Sequence, residues 1–214
     1  MTEYTITRKF NTSVERTARV LEIAESFGLG LSDKEFVVYD DLKIDINQGD
    51  VVYITGQSGS GKSLLLRDLS MQMVLEGKKV ADLNLIELQE HPVVELLGKS
   101  TNEALDLLAK AGISDAWINI RKPSELSDGQ RYRLKLAILM ASDADVWIAD
   151  EFGAVLDRVT ARVVAFSMQK VARRAGKTFM VATTHDDMVA ELAPDLTVTK
   201  RFREKVEVQT GAAA

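Results

Sequence analysis

The chain lacks cysteine, holds three prolines and two histidines, and has no long apolar run. Zero cysteine fits a protein with no need of an oxidising compartment. The longest apolar runs, such as LKLAILMA at 134–141, carry a lysine and fall short of the roughly 18–20 residues that span a bilayer. The opening MTEYTITRKF shows no basic, apolar, small-residue pattern of a secretory signal. A cytoplasmic location with no intrinsic membrane segment is the expectation. A basic excess is missing too. The net charge of −5 and pI near 5.2 argue against coating nucleic acid through bulk charge. Two local basic clusters remain, Lys170, Arg173, Arg174 and Lys177, and then Lys200, Arg201, Arg203 and Lys205; they read as a solvated helix face and a charged tail.

What is present is enough apolar residue, 46% of 214, to bury one sizeable core with a small satellite. Residues 3–10 alternate weakly as a short strand. Thr12 and Glu15 then offer a capping box for a helix over about 13–27, with Val14, Ala18, Leu21 and Ala24 at helical spacing and Gly28 as its end. FVVYDDLKIDI and VVYITG read as two strands, the second buried on both faces. A helix is expected at about 62–76, a short strand pair within 79–89, and a helix in EALDLLAKAG. The second half runs helix from about 128, strand VWIAD, helix from about 158, strand TFMVATT, short helix, and one last strand near 195–208. Strands alternating with helices indicate a mostly parallel α/β sheet covered on both faces.

GQSGSGKS at 56–63 matches G-x-x-x-x-G-K-[ST] between an apolar strand and a helical segment, which is the context that phosphate-loop chemistry requires. The glycines let consecutive N–H groups turn inward toward phosphate oxygens, and the following helix adds its positive end. This makes Gly56, Gln57, Ser58, Gly59, Ser60, Gly61, Lys62, Ser63 and Leu64 the candidate nucleotide cradle. Lys62 is placed to reach the β- and γ-phosphates, and the Ser63 hydroxyl to ligate Mg²⁺. VWIADE ends an apolar strand in two carboxylates, which need a cation, a donor or water. Asp150 suits Mg²⁺ held through water, and Glu151 suits a base that orients and deprotonates the attacking water. In LSDGQ, Ser127 and Gln130 form an S-x-x-Q capping box, so the turn opens a helix whose first N–H groups favour an anion.

In this order, GQSGSGKS, LSDGQ, VWIADE, AVLD and ATTHD resemble the ABC-type ATPase family over about residues 36–200. The resemblance implies a P-loop fold with a small helical subdomain at about 90–126, ATP and Mg²⁺ as ligands, and hydrolysis to ADP and phosphate. It further implies an ATP-dependent homodimer, or a pair with a related heteropartner, in which each nucleotide lies between two chains. Ser127 and Gly129 would then meet the γ-phosphate of the partner's nucleotide, with Gln130 counted in the same nucleotide-binding turn. His185 would contact that phosphate within its own chain, and Asp157 would shape the dimer contact. Gln89, in LIELQEHP, stands as the candidate for the family's Mg²⁺-sensing glutamine, whereas His91 reads as a loop residue. Phe27, Phe36 and Tyr39 are each candidates to stack on adenine.

Two departures from the pattern stand out. Asp128 replaces the first glycine of the usual LSGGQ and puts a carboxylate near the expected γ-phosphate. Phe152 follows the acid pair where many relatives have proline. Lys62 and Leu126 stand 64 positions apart, a short spacing that leaves room for about two helices between 92 and 120. With a strand–helix extension at 1–30, an ATPase domain at 31–208 and a disordered tail at 209–214, the spacing points to a standalone switch or motor. The chain resembles ATPases related to acetyltransferase-fused microbial and viral members, and nucleic acid or a protein complex is the expected partner. A transporter-energising subunit and an ATP-holding module with little turnover are the alternatives.

Overall fold

The structure is a computed structural model, and it describes residues 2–202 and 204–211. Strand β1 (Thr2–Thr12) pairs antiparallel with β2 (Lys34–Ile46), from Thr2↔Ile46 to Thr12↔Lys34, with a bulge near Arg8. The chain between them carries α1 (Ala18–Phe27). That helix starts five residues later than its sequence pattern suggests. Thr12 is still committed to the strand, its hydroxyl donating to Lys34 O at 3.1 Å, so Thr17 becomes the cap and accepts from Val20 N. Gly28 ends the helix as expected, in a left-handed conformation at φ 61°.

The central sheet has the order β4-β5-β6-β3-β7-β8, with all neighbours parallel except the last pair. Its strands are β3 (Val51–Gly56), β4 (Val80–Asp82), β5 (Val146–Ala149), β6 (Thr178–Thr183), β7 (Leu196–Lys200) and β8 (Glu207–Thr210). The strand pair expected within 79–89 is a single three-residue strand. Asp82 turns the chain into a 3₁₀ turn by accepting from Asn84 N at 2.9 Å. The single last strand is in fact a hairpin, β7 against β8, in register from Leu196↔Thr210 to Thr199↔Glu207. This corrects the disordered tail at 209–214. Gln209 and Thr210 pair with β7 and Gly211 N donates to Asp195 O at 2.7 Å, so their backbone groups are satisfied; Ala212, Ala213 and Ala214 lie outside the described residues.

Alternation along the strands divides the core in two. Val52, Ile54, Val146, Ile148, Met180 and Ala182 face α2 (Lys62–Leu75) and the β1–β2 hairpin, where Tyr4, Ile6, Ile44, Leu65, Leu69 and Met73 join them. Val51, Tyr53, Trp147, Phe179 and Val181 face the opposite way. That second layer holds α3 (Thr101–Lys110), α5 (Asp128–Ala141) and α6 (Arg158–Arg174). Burial on both faces is why these strands read as unbroken apolar runs. Arg8 Nε donates to Asp68 Oδ2 at 2.6 Å, tying β1 to α2, so the N-terminal segment is integrated with the body. Between 90 and 126 the chain forms a 3₁₀ turn, α3, a four-residue helix α4 (Ala116–Asn119) and a second 3₁₀ turn. A short helix α7 (Val189–Leu192) precedes β7.

Candidate functional site

β3 delivers the phosphate loop at the carboxyl edge of the sheet, where ligands bind in open α/β folds. Two of its glycines are forced by neighbours. A Cβ on Gly56 would lie 1.8 Å from Lys200 O, and one on Gly61, at φ 105°, would lie 2.7 Å from Val38 Cγ1. Tyr39 OH donates to Gly61 O at 3.0 Å and holds the loop's far end. Lys62 opens α2, and while Leu64 N and Leu65 N donate to Gly61 O at 3.0 and 3.1 Å, the amides of Lys62 and Ser63 precede the first intrahelical bonds, so this end of the helix favours an anion. Its Nζ folds back to donate to Gly56 O and Gln57 O at 2.9 and 2.8 Å. Burial lowers the Lys62 pKa, and the charges of Asp150 and Glu151 oppose that shift. A polyphosphate would supply the anionic partner this ammonium lacks. The Ser60 hydroxyl, also in the loop, is buried without a hydrogen-bond partner, as expected of a group kept for a ligand.

β5 carries the acid pair to the same edge. Asp150 Oδ1 accepts from Glu151 N at 3.0 Å, and Glu151 itself sits at φ 51°. A left-handed backbone at a non-glycine residue costs about 1–3 kcal/mol and persists only where its surroundings over-determine it. Here they do. Phe152 is fully buried, donates its N–H to Ala182 O at 2.9 Å, and accepts from the Thr183 hydroxyl at 3.0 Å. Its ring meets Phe179 edge-on at 5.9 Å and Tyr132 at 6.4 Å, a slot that proline would leave empty.

Two cavities meet across the phosphate loop. One of about 550 Å³ is lined by Ser58, Lys62, Ser63, Asp150, Glu151 and the Thr183–Thr184 stretch, among others. The other, about 800 Å³, has Phe10 and Phe36 on its hairpin side, Ser60 on its loop side, and Lys200 and Phe202 from the C-terminal hairpin. Gly59, Gly61 and Leu64 border both. Of the aromatic candidates, Phe36 lines the larger cavity, 6.2 Å from Phe202. Phe27 ends α1 and does not line it. Tyr39 lines it, but it is a core residue whose hydroxyl is spent on Gly61. Lys200 is buried and desolvated, with its pKa lowered, which corrects its reading as part of a charged tail. Arg203 lies outside the described residues.

His185 follows β6 by two residues. Its carbonyl accepts from Tyr53 OH and Thr55 Oγ1, and its N–H donates to the Thr183 hydroxyl at 3.2 Å, so the backbone is anchored beside the smaller cavity. Ser127 caps α5, accepting from Gln130 N at 3.3 Å while Gln130 Oε1 accepts from Ser127 N at 2.9 Å, the reciprocal box its spacing predicts. Neither Ser127, Gly129 nor Gln130 lines either cavity. Instead Gly129 lies beside Val155 and Leu156 of the AVLD turn. Asp128 pairs with Arg131, whose Nη1 also donates to Leu126 O at 2.6 Å. Asp157 is the cap of α6, accepting from Thr160 N at 3.0 Å; those bonds hold its carboxyl below the usual range. Gln89 is exposed in an irregular stretch and does not line the acid-pair cavity; His91 is an exposed bend nearby. Sequence reading passed over Tyr132, Thr183 and Thr184. The signal for the last two was a pair of hydroxyls directly before His185, one ending β6 and one just past it.

A parallel sheet, a phosphate loop at its carboxyl edge and an acid pair beside it define a P-loop ATPase. The ABC transporter family profile matches residues 39–83 and 75–154, more than half of the chain. The cytochrome c biogenesis ATP-binding export protein CcmA of Colwellia psychrerythraea is 30% identical over 186 residues, covering 73% of this chain and 82% of that protein. The macrolide export ATP-binding/permease protein MacB of Burkholderia pseudomallei is 30% identical over 194 residues, and the chain spans only 29% of its length. The ATP-binding cassette MJ0796, in a dimeric post-hydrolysis state bound to ADP and Pi, shares the fold at a TM-score of 0.67 and 17% identity, with both chains fully covered. The chain belongs to the ABC ATPase family: it is an ATP-binding domain of the kind that hydrolyses ATP.

Proposed function

We propose that the chain hydrolyses ATP as a head-to-tail pair of copies and energises a transport system. The observation that carries the pairing is the division of the site. Lys62, Ser63, Asp150 and Glu151 line one cavity, while the capped turn of Ser127, Gly129 and Gln130 lies outside it and is free to close on a second chain's cavity. The relatives' printed roles in export support the transport reading over a nucleic-acid motor, as does the dimeric state of the MJ0796 cassette for pairing. A short helical insertion weighs less than those likenesses, because spacing measures room and not partner. The reported relatives are likewise transport proteins and not acetyltransferase fusions.

The donor set fits a nucleotide-bound Mg²⁺, which takes one or two protein oxygens and otherwise phosphates and water: Ser63 Oγ and the Asp150 carboxylate share a cavity wall. Mg²⁺, when bound, would neutralise charge on the β- and γ-phosphates. Lys62 exchanges its two carbonyl partners for phosphate oxygens, and the loop amides hold the rest in place. Glu151 accepts the proton of a water whose oxygen bonds to the γ-phosphorus as the bond to the bridging oxygen of ADP breaks. His185 and, from the second copy, Ser127 and Gly129 stabilise the charge on the departing phosphoryl group. Adenine lies toward Phe36 in the larger cavity. Gln89 would reach the metal only after its loop moves inward.

The test uses the full chain. Glu151→Gln should form an ATP-dependent dimer by light scattering and release no phosphate, while the wild type cycles back to monomer; identical, inactive proteins would sink the ATPase reading for this chain. Recovery of a membrane-embedded subunit with Glu151→Gln supports transport. Salt-sensitive stimulation of hydrolysis by DNA or RNA would overturn it.

A further inference from the structure

We propose that Tyr132 is a positioning residue that links the signature end of one ATP site to the water-activating carboxylate of the other; this rests on the paired-site reading above. Tyr132 stands on the first turns of α5, five residues after the Ser127 cap. Its hydroxyl accepts from Gly153 N at 2.9 Å, two residues past Glu151, and its ring packs edge-on against Phe152. The same helix therefore presents Ser127 and Gly129 at its tip and grips the Glu151 turn by its side.

The turn has few other restraints on that flank. Its opposite side is held by Phe152 N to Ala182 O and by the Thr183 hydroxyl, both from β6. Within the turn, Ala154 N donates to Glu151 O at 3.1 Å and Leu156 N to Gly153 O at 3.0 Å, so a shift at Gly153 is passed directly to Glu151. Gly153 also has little room. A Cβ there would lie 3.1 Å from Ala161 Cβ and 3.3 Å from Met188 Cε. Burial pushes the Tyr132 phenol well above its ordinary range, so it stays protonated and keeps its acceptor lone pairs for Gly153. Arg133 ties the same helix onward, donating to Gly129 O at 3.2 Å and to Gly112 O at 2.7 Å. When α5 is drawn toward a partner's nucleotide, Tyr132 moves with it and sets the left-handed Glu151 backbone. Hydrolysis in a chain's own cavity then follows closure of its signature on the other.

Tyr132→Phe keeps the ring and removes only the acceptor. With the full-length chain, kcat is expected to fall on the order of tenfold to a hundredfold, since small misplacements of a catalytic group cost that much. KM for ATP, measured with Tyr132→Phe alone, and the ATP-dependent dimer affinity, measured with Tyr132→Phe in the Glu151→Gln background, should each stay within about twofold, because neither cradle nor signature is touched. The Hill coefficient for ATP should drop toward one. A wild-type kcat, or a loss of kcat matched by weaker dimerisation and higher KM, would overturn the proposal. Tyr132→Leu, which also loses the ring, should be worse in kcat than Tyr132→Phe with dimerisation retained; equal activities of the two would also overturn it. An inactive wild type would instead refute the paired-ATPase reading, so the two failures are told apart.

Discussion

The left-handed backbone at Glu151 yields a prediction in which two variants that lose activity alike differ in stability. The carboxylate is exposed and makes no side-chain hydrogen bond among the described residues, which leaves it available for the proposed role as base, while its Cβ is what the φ of 51° penalises. Glu151→Ala and Glu151→Gly both remove the carboxylate and with it the smaller part of the charge support of Lys62, the larger part coming from Asp150. They differ in the backbone alone. An L residue in that region costs about 1–3 kcal/mol, and glycine's freer unfolded chain gives back roughly 0.4–1 kcal/mol. The glycine variant should therefore be about 1 kcal/mol more stable than the alanine variant, or about 2–4 °C in Tm for a chain of this length. Differential scanning calorimetry without nucleotide reads the difference, and phosphate release should fall about a hundredfold or more in both variants. A glycine variant that melts at or below the alanine variant would refute the claim that this turn stores strain for catalysis.

Three further outcomes follow from the same geometry. Phe152→Pro should destabilise by about 3 kcal/mol or more, since it removes the N–H that pairs with Ala182 O and empties the slot between Tyr132 and Phe179; a loss under about 1 kcal/mol in urea denaturation would mean that the turn tolerates the commoner residue. Asp128→Gly should tighten ATP-dependent dimerisation by about two- to fivefold, the scale of an exposed charge already paired with Arg131, and should leave Tm nearly unchanged; weaker dimers by sedimentation would show that the carboxylate assists closure. Tyr4, buried and donating to Glu76 Oε2 at 2.8 Å, has its pKa raised from 10.0 to about 12 by burial first and by Glu76 second. A raised pKa stabilises below pH 10 and loses that contribution as pH climbs toward 12, so Tyr4→Phe should flatten the fall in Tm over that window.

Those parts of the fold set by local chemistry were legible in the sequence. The Ser127–Gln130 box, the Gly28 terminator and the phosphate loop each need only a handful of adjacent residues, and each stands where its pattern put it. Misreadings arose where distant pairing decides. Thr12 and Thr17 both look like helix caps, and only the register of β1 on β2 assigns Thr12 to a strand. EVQT is polar enough to pass for a frayed end until Leu196 gives Thr210 a partner. Gln89 stood no chance of being placed, because the stretch after Leu85 has neither period nor cap to fix it. The phenol of Tyr132 is a tertiary fact of the same kind: nothing in RYRL says that its second residue reaches a turn 21 positions on.

The arrangement of charge is what the proposed pairing of two half-sites would call for. Its acids gather with Lys62 at one cavity, and burial already disfavours that ammonium, so a lone chain holds phosphate with a cation that is costly to keep desolvated. A helix end favours an anion only within its first turn. Placing Ser127 at the tip of α5, outside its own cavity, therefore contributes only the helix cap until another nucleotide arrives there, and the further gain would be in binding between chains. Asp128 sits at that tip and would oppose the approach, yet Arg131 holds it from the helix side. In the proposed pair such a restraint would weaken the closed state without altering the open one, and would favour repeated opening after each hydrolysis over a dimer that stays shut.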